Sequence, residues 1–135
     1  MQSRQGFTLI ELMVVVVIVG ILAAASVSIM QGRVDSARWS EGKAIAGTVA
    51  RALRVHIGEE GANFTAVPSL RQLGFESGDL NGNYFSGGES GEGDFSWVIS
   101  SNNPIDFLVT TAAPAGVTTP SQITLDHTGT FTETP

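Results

Sequence analysis

Gly6-Phe7-Thr8-Leu9-Ile10-Glu11-Leu12-Met13-Val14-Val15-Val16-Val17-Ile18-Val19-Gly20-Ile21-Leu22 is the stretch on which the reading of this chain turns. Residues 12–32 hold no ionisable side chain, and about 20 apolar residues suffice for a helix to cross a bilayer. The chain therefore carries a membrane-length segment. Glu11 stands near its start, and a carboxylate inside such a segment costs about 2.5–3.5 kcal/mol on insertion scales. A charge at that cost calls for a functional explanation.

The residues before the apolar run supply one. A secretory signal peptide has a basic start, an apolar core of about 7–15 residues and a small-residue cleavage site after that core. Here the order is reversed. Met1-Gln2-Ser3-Arg4-Gln5-Gly6 is short and polar, with one positive charge, and the candidate cleavage position, Gly6, precedes the apolar run. Cutting there leaves the hydrophobic helix on the mature protein.

Gly6 followed by Phe7-Thr8-Leu9-Ile10-Glu11 resembles the class III prepilin signal of type IV pilins and type II secretion pseudopilins. The resemblance covers about the first 30 residues, with weaker similarity into the next helix. It implies cleavage after Gly6 by a dedicated prepilin peptidase, N-methylation of the new terminus at Phe7, and an assembly role for Glu11. It also implies partners: the inner-membrane assembly machinery and copies of the same chain in a helical filament. Gly20 falls where many members have glycine, whereas Ser28 replaces a frequent proline.

Cleavage after Gly6 creates an amine at Phe7, four residues before Glu11, and residues four apart share a helix face. In apolar surroundings a lone charge is costly, while an opposite charge and hydrogen bonds offset part of that cost. Glu11 is thus expected to neutralise the Phe7 amine of an adjacent subunit as a filament grows and to set its axial register. Charge counting is a poor guide to topology here. Arg4 lies on one side of the segment and Arg33, Arg38 and Lys43 on the other, which does not favour an outward C-terminal domain. The resemblance implies a cytoplasmic leader and an external globular part, and the leader motif is the more specific signal.

The whole chain has 135 residues. After leader and membrane segment, roughly 100 residues remain, enough for one small domain. The division expected is a leader at 1–6, a transmembrane and filament-core half-helix at 7–30, an amphipathic half-helix at 31–58 and a globular region at 59–135. A net charge of −6 disfavours binding to nucleic acid phosphates. With no cysteine, no disulfide can staple the external part, although many relatives have one near the C-terminus.

Val34, Ala37, Ala44, Ile45, Thr48, Val49, Ala52, Leu53, His56 and Ile57 recur at helical spacing and predict one apolar stripe, with Gly58 as its stop. Residues 7–57 would form one helix of about 75 Å, which Gly20, Gly32, Gly42 and Gly47 could let bend. Residues 68–74 read as a single helical turn started by Pro68 and ended by Gly74. Residues 76–94 are rich in glycine and acidic side chains and read as a flexible loop. Strand signals follow at 95–101, 106–113 and 122–127, with an extension at 130–132. Short connections make them an antiparallel meander. The fold class is α+β: a long N-terminal helix packed on a three- or four-stranded antiparallel sheet, similar to the pilin ladle, with Trp97 and Phe107 beneath the helix.

Other chemistry is weakly signalled. Asp79, Asn81 and Asn83 begin like a calcium loop, but Tyr84 and Ser90 stand where an EF-hand needs glycine and glutamate; a solvated acidic loop is the competing reading. No other metal or cofactor is expected. Asp126-His127 near several serines lacks a nucleophile-elbow sequence, and His56 and His127 read as a packed helix histidine and a strand-edge histidine. No enzyme is expected. The aromatic residues are core filling rather than an electron path, and the threonine-rich end suits either strands or attached sugars.

The expected function is that of a pilin in a type IV pilus-like surface filament for adhesion or motility, held in the inner membrane before assembly and extracellular afterwards. The alternatives are a pseudopilin in a periplasmic pseudopilus of a type II secretion system, and a membrane-anchored binding module that never polymerises.

Overall fold

In a computed structural model, the described residues are 6–61, 67–88, 93–102 and 104–135, with the side chains of Ser28 and Asn102 left aside. The leader residues 1–5, Phe64, Glu89, Ser90, Glu92 and Asn103 lie outside them. One helix, α1, spans Leu9–Glu60. Four strands follow: β1 Phe95–Asn102, β2 Ile105–Ala112, β3 Gln122–Asp126 and β4 Phe131–Thr134. They form one antiparallel sheet in the order β1-β2-β3-β4. The chain divides into two compact units, with the boundary between Ser36 and Ala37.

In the first unit the helix runs unbroken through residue 28, so the missing proline leaves no break there. Val14, Ile18, Ile21 and Val27 are all exposed, as is every other large apolar residue from Phe7 to Met30. Ser26 turns its hydroxyl onto the Leu22 carbonyl at 2.8 Å, which satisfies that polar group within the helix.

The second unit holds the core. The buried stripe of α1 is Trp39, Gly42, Ala46, Val49, Ala50, Leu53 and Ile57, spaced by three and four as one helix face requires. This corrects the expected stripe in phase. Val34, Ala37, Ala44 and Thr48 are exposed, while Trp39, Ala46 and Ala50 are buried. Small residues at the contact let the helix lie close to its neighbours. Gly42 is the clearest case, since a Cβ there would stand 2.6 Å from the Phe85 ring.

Along β2 every second residue, Phe107, Val109 and Thr111, is buried, and β3 buries Ile123 and Leu125. This is the two-residue alternation of a sheet with one covered face. Trp97 and Phe107 join Ala46, Val49, Leu53 and Ile57 in one cluster, while Trp39, Phe85, Phe95 and Ile123 form a second. The indole of Trp97 donates to the Pro68 carbonyl at 3.0 Å, which satisfies its buried N–H. On the opposite face Ser96, Thr110, Thr124 and Thr132 stand in one cross-strand row.

The helix ends later than expected. Gly58 is helical, and the left-handed residue that follows the last turn is Gly61 at φ 60°. The turn at 68–74 is present: Gln72 accepts from the Ser69 N–H at 2.8 Å, and Gly74 closes it at φ 85°.

Residues 76–88 are a built strap rather than a featureless loop. Leu80 and Phe85 are buried, one in each cluster. Glu41 of α1 accepts from the N–H groups of Tyr84 at 2.9 Å and Phe85 at 3.3 Å. Gly82 lies so close to the same carboxylate that a side chain there would collide with it. Asp94 accepts from the Ser86 N–H at 2.7 Å and donates its own N–H to the Ser86 carbonyl at 2.9 Å. The periodic reading missed this element because its anchor lies about 40 residues away in sequence.

Candidate assembly site

Residues 6–8 precede the helix, and Thr8 is its N-cap. The Thr8 hydroxyl accepts from the Glu11 N–H at 3.4 Å and donates to Glu11 Oε2 at 3.2 Å. The Leu12 N–H reaches the Thr8 carbonyl at 3.3 Å, the first bond of the helical ladder. Thr8-Leu9-Ile10-Glu11 is thus a capping-box sequence, and it places a negative charge at the positive end of the helix dipole. The threonine-x-x-glutamate spacing signals this role of Thr8, which the reading of Gly6, Phe7 and Glu11 does not include.

In the uncut chain Phe7 lies just outside the helix, which begins at Leu9. Gly6 has open space where a side chain would project, and Phe7 is exposed. The peptide between them is accessible. From Leu12 to Met30 the helix carries no charged side chain, and α1 contains a window long and apolar enough to cross a membrane, none of it buried among the described residues. A helix that is hydrophobic all round requires an apolar environment beyond its own fold, either lipid or other helices.

Two of the three calcium candidates are engaged with the backbone. Asp79 Oδ2 accepts from the Glu76 N–H at 2.8 Å and Asn81 Oδ1 from the Gly87 N–H at 2.9 Å, while Asn83 is exposed. Among the described residues no three His, Cys, Asp or Glu side chains group as metal ligands. His127 lies one residue past β3, in the turn to β4. Its Nδ1 is 3.0 Å from Asp106 Oδ1, and Arg54 donates to its carbonyl at 3.0 Å. His56 is half-buried on α1.

Two carboxyl groups outside the apolar segment are held below their ordinary pKa. For Glu41 the chief cause is the Tyr84 backbone N–H. For Asp126 it is the Thr128 hydroxyl, at 2.6 Å, with the Thr130 N–H next. Both carboxylates brace loops, the first the strap and the second the β3–β4 turn.

Residues 1–27 match the prokaryotic N-terminal methylation motif. The chain is also 26% identical to fimbrial protein EcpC of Eikenella corrodens over 149 aligned positions, which cover 89% of this chain and 97% of the relative. No solved structure matches it. The motif, the similarity to a fimbrial protein over 89% of this chain and the long helix followed by an antiparallel sheet together support a likeness to the type IV pilin family.

Proposed function

We propose that this chain is the structural subunit of a type IV pilus-like surface filament that serves adhesion or motility. A prepilin peptidase cuts after Gly6, the new Phe7 amine is methylated, and the subunit waits in the inner membrane until its helix is transferred to a growing filament. Its role is architectural rather than catalytic. The observation that carries this reading is the first part of the helix, whose large apolar residues are all exposed behind a single capped carboxylate at its head. Similarity to a fimbrial protein over 89% of this chain supports the pilus reading.

In this scheme Glu11 receives the Phe7 amine of a neighbouring subunit. Removing one partner of a buried ion pair costs about 3–5 kcal/mol, so Glu11→Ala should reduce assembly roughly a hundredfold or more while membrane insertion persists. Glu11→Gln separates charge from capping, because it keeps an acceptor oxygen for Thr8. The measurement is electron microscopy of the sheared cell-surface fraction with mass identification of its subunit and amino terminus. Normal filaments with Glu11→Gln would remove the ion-pair role. Sheared filaments built from another subunit would return the chain to the pseudopilin class.

A further inference from the structure

Asn81-Gly82 in the strap is a sequence in which the chain can modify itself. Glycine after asparagine leaves the following amide nitrogen unhindered, so Gly82 N can attack Asn81 Cγ. The new N–Cγ bond closes a five-membered succinimide, and the side-chain nitrogen departs as ammonia with the proton from Gly82 N. Water then opens the ring at either carbonyl, giving aspartate or isoaspartate.

The fold holds both reacting groups away from this reaction. Asn81 is exposed, yet its Oδ1 is fixed by the Gly87 N–H at 2.9 Å. The Gly82 N–H is committed to the Phe85 carbonyl at 2.8 Å. Gly82 itself lies against Glu41, whose Oε1 also holds the N–H groups of Tyr84 and Phe85. Turning Gly82 N towards Asn81 Cγ breaks the bond to Phe85 and pulls the strap off that carboxylate. Phe85 resists this as well, because its ring is buried against Gly42.

We propose that Asn81-Gly82 is a latent deamidation site, kept unreactive by the Glu41 clasp and exposed when the strap opens. Conversion to aspartate adds a negative charge two residues from Asp79. Conversion to isoaspartate inserts a carbon into the strap backbone at its point of closest approach to α1. Either product marks a subunit whose strap has opened.

The test is peptide mapping of the detergent-solubilised full chain during incubation at neutral pH, with a synthetic peptide of residues 76–88 giving the unrestrained rate. Charge-assisted hydrogen bonds are the stronger class, and local opening sets the reactive fraction. The folded chain should therefore deamidate at Asn81 at least roughly tenfold more slowly than the peptide, and Glu41→Ala should move it roughly tenfold towards the peptide rate. Adding Gly82→Ala to Glu41→Ala introduces a methyl group where the colliding carboxylate has been removed, and it should suppress the reaction again. Asn83 would react through Tyr84 N, which Glu41 also holds, so the same variants release it, but the bulky Tyr84 should keep it slower than Asn81 in every chain. Glu41→Gln, which keeps an acceptor oxygen, should react at an intermediate rate and serves where Glu41→Ala does not fold. A folded wild-type chain reacting as fast as the peptide overturns the proposal, as does a folded Glu41 variant still at the wild-type rate.

Discussion

The two parts of α1 on either side of the Ser36–Ala37 boundary obey different rules although they belong to one helix. Among the described side chains, residues 9–36 bury none within their own unit, and Ile18 is 52% exposed. Residues 37–60 present a narrow stripe to a sheet, and Leu53 is 0% exposed. In the first part hydrophobicity serves an environment outside the fold, whereas in the second it fixes how the fold closes. Identical side-chain chemistry therefore has opposite consequences for stability.

The largest effect should come from matched truncations. Leu53→Ala should lower the unfolding free energy by about 2–5 kcal/mol, as for other large-to-small core changes. Ile18→Ala should leave it within about 0.5 kcal/mol, as surface substitutions do. Both tryptophans, Trp39 and Trp97, lie in the second unit, so denaturant titration followed by fluorescence in detergent reports that unit alone. Equal losses would break the contrast between the two parts.

Glycine sharpens the same contrast. Gly42→Ala must displace the Phe85 ring and should cost about 1–3 kcal/mol, the usual range for overpacking. At Gly20 an added methyl meets nothing within 4 Å, so Gly20→Ala should strengthen the helix by up to about 1 kcal/mol. Circular dichroism of the first part and fluorescence melting of the second would read the opposite signs.

Acid titration should give the smallest change, confined to the second unit. The pKa values of Glu41 and Asp126 are lower folded than unfolded. Their contribution is therefore complete above the ordinary carboxylate range and is lost as pH falls through the depressed folded values. Glu41→Gln and Asp126→Asn should each flatten the acid limb of the stability profile. A limb unchanged by both substitutions would show that neither carboxylate contributes to it.

Much of this was legible in the sequence, for physical reasons that differ by element. The apolar run from Leu12 onward predicts a helix because its signal is local and long. The strands were found within one or two residues, since turn-forming residues bound them. The stripe of α1 was read out of phase because its true members include Gly42, Ala46 and Ala50. Such small residues carry little hydrophobic signal yet mark where the backbone approaches its neighbours most closely. The strap was invisible because a carboxylate about 40 residues away holds it. The cap at Thr8 is written in its spacing to Glu11, a local signal that the charge alone does not carry.

Both margins of the sheet are guarded against further strand pairing. The register of β1 shifts between Ile99 and Ser101, a bulge-like irregularity, and β4 has only four residues, with Pro135 directly after it. Glu133 lies in register with the inward-facing Ile123 and pairs with Lys43 of α1 at 3.0 Å. Bulges, short edge strands, proline and inward charges all discourage edge-to-edge association. At the high local concentration of an assembly, open edges would offer a competing, amyloid-like route of growth. In the proposed filament, blunted edges would leave association to the N-terminal helix.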